Sequence, residues 1–221
     1  MTGVNKISLW YCRAITAVAI MYYVIKNLGL CEAVGAAVVY ALYFLLSLFV
    51  AKEIPFLKSQ KRQFSMAFCL LCLSIMLVST IVLSYIFPAS SQRVELSFLY
   101  VLSSVVLSPI LEELFFRWAL INLERPILFA IFSSVIFGLF HSAESFFPAL
   151  LLGGLLSLFY VASGNIFVPI ICHMGNNALA LICSLVGDVR VLILIVFVIV
   201  FVLVLKFGDK SSDEKAKKEI L

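Results

Sequence analysis

Apolar residues arrive along this chain in long, nearly unbroken runs, without the three-to-four-residue spacing of an amphipathic helix on a soluble core. At about 20 apolar residues per bilayer crossing, the runs fall at 7–25, 33–51, 64–87, 96–121, 127–145, 147–162, 166–186 and 189–207. The pattern predicts an all-α, polytopic membrane helix bundle of about eight transmembrane helices. The fifth and sixth runs are short and closely joined through Phe146, Phe147 and Pro148. Seven spans with one re-entrant piece is therefore an open alternative. The first run carries Arg13 and is followed by Lys26 and Asn27 with no small-x-small cleavage site, so it reads as a retained helix and not as a signal peptide. No internal repeat or separate soluble domain is visible.

Charge orients these runs. With the N-terminus inside, twelve Lys and Arg residues lie on the inner side, among them Lys6, Lys52, Lys58, Lys61, Arg62, Arg125 and Lys206, whereas the outer loops hold Lys26, Arg93 and Arg190. The positive-inside rule predicts both termini in the cytoplasm and an even number of crossings. Composition agrees: 64% of residues are hydrophobic and 13% charged, against about a quarter charged in soluble domains. The net charge of +4 gathers at segment ends, which reads as topology signal and gives no reason to expect nucleic acid. The six cysteines lie mostly within apolar runs, and the Cys69–Cys72 pair has no neighbouring histidine or basic residue. They read as small hydrophobes, with no secreted disulfide framework. Ala149, Gly153 and Ser157 form a small-xxx-small stripe suited to close helix packing.

Against this apolar background a few polar residues stand out. A charge at mid-bilayer costs about 2.5–3.5 kcal/mol on insertion scales, and intramembrane ionisable groups are functional candidates. The fourth run contains Glu112, Glu113 and Arg117, the fifth Phe137 and His141, and the seventh His173 and Asn177; both histidines of the chain are in this set. Glu113 and Arg117 are four residues apart and can pair along one helix face. Glu112 lies about 100° round the helix from Glu113, so the two carboxylates are expected to face different points, one neutralising the arginine and one free for the bundle interior. His173 and Asn177 again sit at i and i+4, and Phe137 lies one turn from His141 and could brace its ring. At about 1.5 Å rise per residue, all four of Glu112, His141, His173 and Asn177 fall roughly 12–24 Å into a core of about 30 Å. They are expected to meet.

The three motifs, EExxxR, FxxxH and HxxxN, each on a hydrophobic segment and in this order, resemble the CPBP family of type II CAAX prenyl proteases and bacteriocin-processing or immunity proteins. The resemblance runs from about Phe98 to Leu185. It divides the chain into motif-free helices at 1–95, a catalytic-type bundle at 96–207 and a charged cytoplasmic tail at 208–221. What it implies is hydrolysis of a peptide bond within the membrane. By motif position, Glu112 would be the general base that activates water and His141 would share in holding that water. His173 and Asn177 would donate to the developing oxyanion, while Glu113, Arg117 and Phe137 would support the site. No motif position is missing.

The same residues fit other chemistries. Glu112, His141 and His173 match the His₂Glu ligand set of catalytic zinc, although asparagine is a poor zinc ligand and the i,i+4 His/Asn pair suits an oxyanion hole better. The expectation is therefore no cofactor, with zinc as runner-up. A non-catalytic peptide-binding immunity protein, or a proton-coupled transporter using the same Glu and His side chains, would carry similar residues. Expected partners are membrane lipid and a peptide or protein substrate entering from the bilayer. The compact chain, short loops and lack of an organellar signal suggest a bacterial plasma membrane, where small-peptide processing or self-protection against a bacteriocin is the expected role.

Overall fold

The computed structural model describes residues 3–27, 32–51, 65–88, 97–121 and 125–186, and beyond them only residues 195, 198, 199 and 202. Seven helices form among the described residues: α1 (Gly3–Asn27), α2 (Glu32–Ala51), α3 (Met66–Ile86), α4 (Phe98–Ala119), α5 (Pro126–Leu139), α6 (Phe146–Ser163) and α7 (Phe167–Val186). No strand occurs among them. Helices α3, α4, α6 and α7 are each long and apolar enough to cross a bilayer, and the chain is a multi-pass helical membrane protein. The expected eighth span at 189–207 lies outside the described residues apart from the four isolated positions.

Local chemistry sets the helix ends. Ser65 and Ser97 cap α3 and α4, each hydroxyl accepting from the backbone N–H three residues on (Phe68, 3.3 Å; Tyr100, 3.1 Å), as N-cap serines do. Proline opens α5 at its first position, where a missing N–H costs nothing. Helix α6 ends at Gly164, whose φ of 61° is left-handed and whose N–H reaches the Tyr160 carbonyl at 2.8 Å. Glycine takes that conformation without a Cβ penalty. Asn165 then accepts from the Phe167 N–H at 2.9 Å, so α7 starts at once after a tight turn.

The fifth run departs from expectation. It was expected to span 127–145, yet α5 stops at Leu139 after 14 residues, about 21 Å and short of the ~30 Å core. Residues 140–145 form the turn into α6, with the His141 N–H on the Gly138 carbonyl at 3.0 Å. The chain can reverse here because Phe146 closes tightly over Gly138, where a Cβ would stand 3.2 Å from its ring and its carbonyl. His141 thus lies just past the end of a short helix, in a turn, and not within a full span.

Helix α4 is not uniformly α-helical. It widens into π-helix at Leu102–Leu107 and again at Leu114–Ala119. In the first stretch the Ser108 N–H bonds to the Ser103 carbonyl, and Pro109 has no N–H, so the Ser104 carbonyl loses both backbone donors that could reach it. In the second, the Leu120 N–H bonds to the Phe115 and Arg117 carbonyls and the Ile121 N–H to Arg117, which passes over Phe116. Side chains of other helices take both freed carbonyls: Asn177 of α7 donates to Ser104 at 2.9 Å, and Ser133 of α5 donates to Phe116 at 2.5 Å.

The main core joins the motif-free helices to the others. Ala14, Ala17 and Met21 of α1 and Tyr43, Leu46 and Val50 of α2 bury against Phe115, Phe116 and Phe137. The rings run in series, Tyr43–Phe115 at 5.5 Å, Phe115–Phe116 at 5.1 Å and Phe116–Phe137 at 5.0 Å. A second cluster gathers Cys69, Cys72 and Met76 of α3 with Leu156 and Phe159 of α6 and Cys172 of α7; these three cysteines are buried free thiols. Ala149, Gly153 and Ser157 are buried along α6. The Ser157 hydroxyl meets Ser134 of α5 at 3.3 Å, and a Cβ on Gly153 would stand 2.9 Å from the Phe137 ring and 3.3 Å from the Arg117 guanidinium. Gly153→Val should therefore lower stability by about 1–3 kcal/mol, the usual cost of overpacking. Thermal unfolding in detergent, with Gly154→Val as the comparison, tests it: Gly154 has only the Ser134 hydroxyl nearby, at 3.8 Å.

Candidate active site

Glu113, Arg117 and His173 form the centre of the polar cluster. Arg117 donates to the Glu113 carboxylate at 2.9 Å, and both side chains are fully buried. Its other terminal nitrogen donates to the Gly153 carbonyl of α6 at 2.9 Å. That contact exists because Gly153 has no side chain to hold the two helices apart. The guanidinium also lies 4.6 Å from the Phe137 ring centroid, a cation–π placement. Glu113 Oε1 receives a second donor, His173 Nδ1, at 2.8 Å. Glu113 Oε2 and Arg117 Nε are left without hydrogen-bond partners.

The two carboxylates face different points, as their angular separation predicts, and lie on opposite sides of one imidazole. Glu113 takes His173 Nδ1 while Glu112 Oε2 stands 3.9 Å from His173 Nε2. Rotation by about 100° does separate adjacent side chains, but an imidazole has a nitrogen on each side and fits between them. Because a carboxylate only accepts when ionised, Nδ1 carries the proton in that bond. Glu112 also receives the Ser108 hydroxyl from the preceding turn. Its side chain keeps 16% of its surface open, against 7% for His173 and none for Glu113.

His141 stands beside this cluster. Its Nδ1 bonds the Phe137 carbonyl at 2.8 Å, which fixes Nδ1 as the donor and leaves Nε2 unprotonated in the neutral ring. Phe137 lies between the histidines, with ring centroids 4.6 Å from His141 and 5.9 Å from His173. No hydrogen bond joins His141 to Glu112. Asn177 meets α4 one turn before Ser108, on the freed Ser104 carbonyl. Its Oδ1 accepts from Asn176, and Asn176 Oδ1 accepts from Thr80 of α3. The motif residues therefore gather along one side of α4, Asn177 a little apart and His141 joined through Phe137.

Several contributors escaped the sequence reading. Ser108 stands four residues before Glu112, a spacing that helical geometry could have flagged. The Ser104 and Gly153 carbonyls have no side-chain signal, and Thr80 sits in a run without any motif. As for zinc, no three His, Cys, Asp or Glu side chains among the described residues are grouped as a ligand set. With both Nδ1 atoms bonded to protein, each histidine keeps Nε2 as its remaining ring nitrogen, the state in which a histidine commonly binds a metal. An apolar cavity of about 610 Å³ opens between α3, α5 and α6, floored near Ser134 and Gly154, and none of the candidate residues lines it.

Removing Arg117 would leave Glu113 as an uncompensated buried charge, at about 3–5 kcal/mol. Arg117→Met should therefore reduce folded yield sharply, and Glu113→Gln combined with Arg117→Met should recover part of it. Size-exclusion profiles and melting in detergent check both. Equal yields for the single and double variants would contradict the ion pair's role.

Residues 94–179 match the family model described as type II CAAX prenyl endopeptidase Rce1-like. No curated protein and no solved structure matches the chain. The matched segment takes in Glu112, Glu113, Arg117, Phe137, His141, His173 and Asn177. The CAAX-protease resemblance of the three motifs is thereby shown, and the activity it implies is a membrane-embedded endopeptidase.

Proposed function

We propose that the chain is an intramembrane endopeptidase that hydrolyses a peptide bond with water activated by Glu112. The observation that carries this reading is the pair of adjacent carboxylates in unlike settings around one imidazole: Glu113 sealed with Arg117, Glu112 partly open. Glu112 Oε2 takes a proton from water as the water oxygen attacks the scissile carbonyl carbon. His141, with an unprotonated Nε2, accepts a hydrogen bond from the same water. The carbonyl π electrons move onto oxygen, and His173 and Asn177 donate to that oxyanion. When the C–N bond breaks, the proton held by Glu112 passes to the leaving nitrogen.

To act as an oxyanion donor, His173 must carry a proton on both ring nitrogens, Nδ1–H toward Glu113 and Nε2–H toward the oxyanion. Preorganised donors of this kind act strongly where water is scarce. Glutamate chemistry is preferred to zinc because the His and Glu side chains are not grouped as a three-ligand centre.

The finer biology follows the sequence expectations. The substrate is a small peptide or protein segment entering from the lipid, both termini are cytoplasmic, and the membrane is a bacterial plasma membrane. The role is peptide processing or bacteriocin self-immunity. A non-catalytic immunity protein would keep protection without Glu112, and a proton-coupled transporter would show pH-driven flux.

Glu112→Gln should lower turnover by about 10²–10⁴, the usual worth of a general base, with unfolding unchanged. His141→Ala should lower turnover to a similar extent, and His173→Ala and Asn177→Ala should each lower it by about 10²–10³. Comparative peptidomics of membranes with wild-type and Glu112→Gln protein would reveal a new terminus only with the wild type. Identical peptide profiles would refute the protease reading, and inhibition by a chelator with recovery on zinc would replace the glutamate mechanism.

A further inference from the structure

We propose that Thr80 and Asn176 form a positioning relay that fixes which end of the Asn177 carboxamide faces the reacting carbonyl. The inference rests on the protease reading for the meaning of Asn177, but its geometry stands separately. Three hydrogen bonds run in series from α3 through α7 to α4. The Thr80 hydroxyl meets Asn176 Oδ1 at 2.5 Å, Asn176 Nδ2 donates to Asn177 Oδ1 at 3.1 Å, and Asn177 Nδ2 donates to the Ser104 carbonyl at 2.9 Å.

The chemistry of the two ends permits one direction only. The Ser104 carbonyl is an acceptor, left open because Pro109 has no N–H and the Ser108 N–H bonds to Ser103. Asn177 must therefore turn its nitrogen toward α4 and its oxygen toward Asn176. Asn176 must then offer nitrogen to Asn177, which puts its oxygen against Thr80, and Thr80 must donate. The Thr80 oxygen also lies 2.9 Å from the Met76 carbonyl, which competes for its one proton, so it is the amide order set from Ser104 that directs the proton to Asn176 Oδ1. The outcome is an Asn177 amide whose first N–H is held by Ser104 and whose second is left for an oxyanion. A flipped amide would present oxygen there and repel the developing charge. Asn177 is the catalytic residue in this reading; Thr80 and Asn176 are positioning residues that touch no substrate.

The test compares Thr80→Ser, which keeps the hydroxyl, with Thr80→Val, which keeps the shape and loses the donor. Thr80→Ala is a second donor-free variant should valine disturb packing. Full-length protein in nanodiscs, labelled with ¹⁵N-asparagine, reports the Asn177 side-chain amide, identified by its loss in Asn177→Ala. The relay predicts that this amide signal shifts or broadens and exchanges faster in Thr80→Val and Thr80→Ala, and stays at the wild-type position in Thr80→Ser. On a cleavage substrate defined by peptidomics, kcat should fall about tenfold to a hundredfold in the donor-free variants, part of what one oxyanion donor supplies, with KM within about twofold, and Thr80→Ser should restore it. An Asn177 amide signal unmoved in both donor-free variants overturns the relay. Glu112→Gln cleaving like wild type would instead remove the protease reading, and the amide signal would still decide the relay.

Discussion

The buried pair of Glu113 and Arg117 is the constraint around which the second half of this bundle is arranged. A guanidinium fully withdrawn from solvent needs its charge matched, and here both terminal nitrogens of Arg117 are hydrogen-bonded as well. Here one helix turn of α4 supplies the carboxylate, α6 supplies the Gly153 carbonyl, and α5 supplies the Phe137 face. Three helices thus meet at one side chain. His173 of α7 adds a fourth by bonding the same Glu113 oxygen. Each contact sets a distance between helices that apolar packing alone would leave loose, since lipid offers no hydrophobic drive for helices to associate.

Helix α4 gains its capacity for interhelical bonding from its own irregularity. A regular α-helix keeps its carbonyls for itself. The two π stretches each release one, and Asn177 and Ser133 occupy them. Pro109 is the clearest sequence cause, because it withholds an N–H in the middle of a span. The unwound registers lie on either side of the Glu112–Glu113 pair, a location where π-bulges often accompany function. The same irregularity that would destabilise an isolated helix therefore ties α4 to α5 and α7.

Much of this was legible in the chain and some was not. Each of the first seven hydrophobic runs contains a helix, and four of these helices are long and apolar enough to cross a bilayer. The Glu113–Arg117 pairing followed from i,i+4 spacing, and the stripe of Ala149, Gly153 and Ser157 did turn out buried on α6. Misreading began where a tertiary contact decides. An apolar count carried the fifth span through to 145, but Gly138 and Phe146 close the turn early and place His141 outside the helix. Angular reasoning did separate Glu113, paired with Arg117, from the more open Glu112, but it could not show that His173 would lie between them. Backbone partners such as the Ser104 carbonyl, and Thr80 in a span without motifs, have no pattern in one dimension.

Under the proposed mechanism, the adjacent carboxylates divide labour by burial. Water chemistry needs a base that a substrate can reach, whereas a structural counter-ion must not be reached, since any group that bonds it competes with the arginine. One residue of rotation separates the two conditions. Glu113 faces the packed interior, with its partner one turn along the same helix, and Glu112 faces the edge of the cluster, held by Ser108. A single glutamate could not do this. Exposed enough to act, it would leave Arg117 unpaired, and buried enough to pair, it would be out of reach.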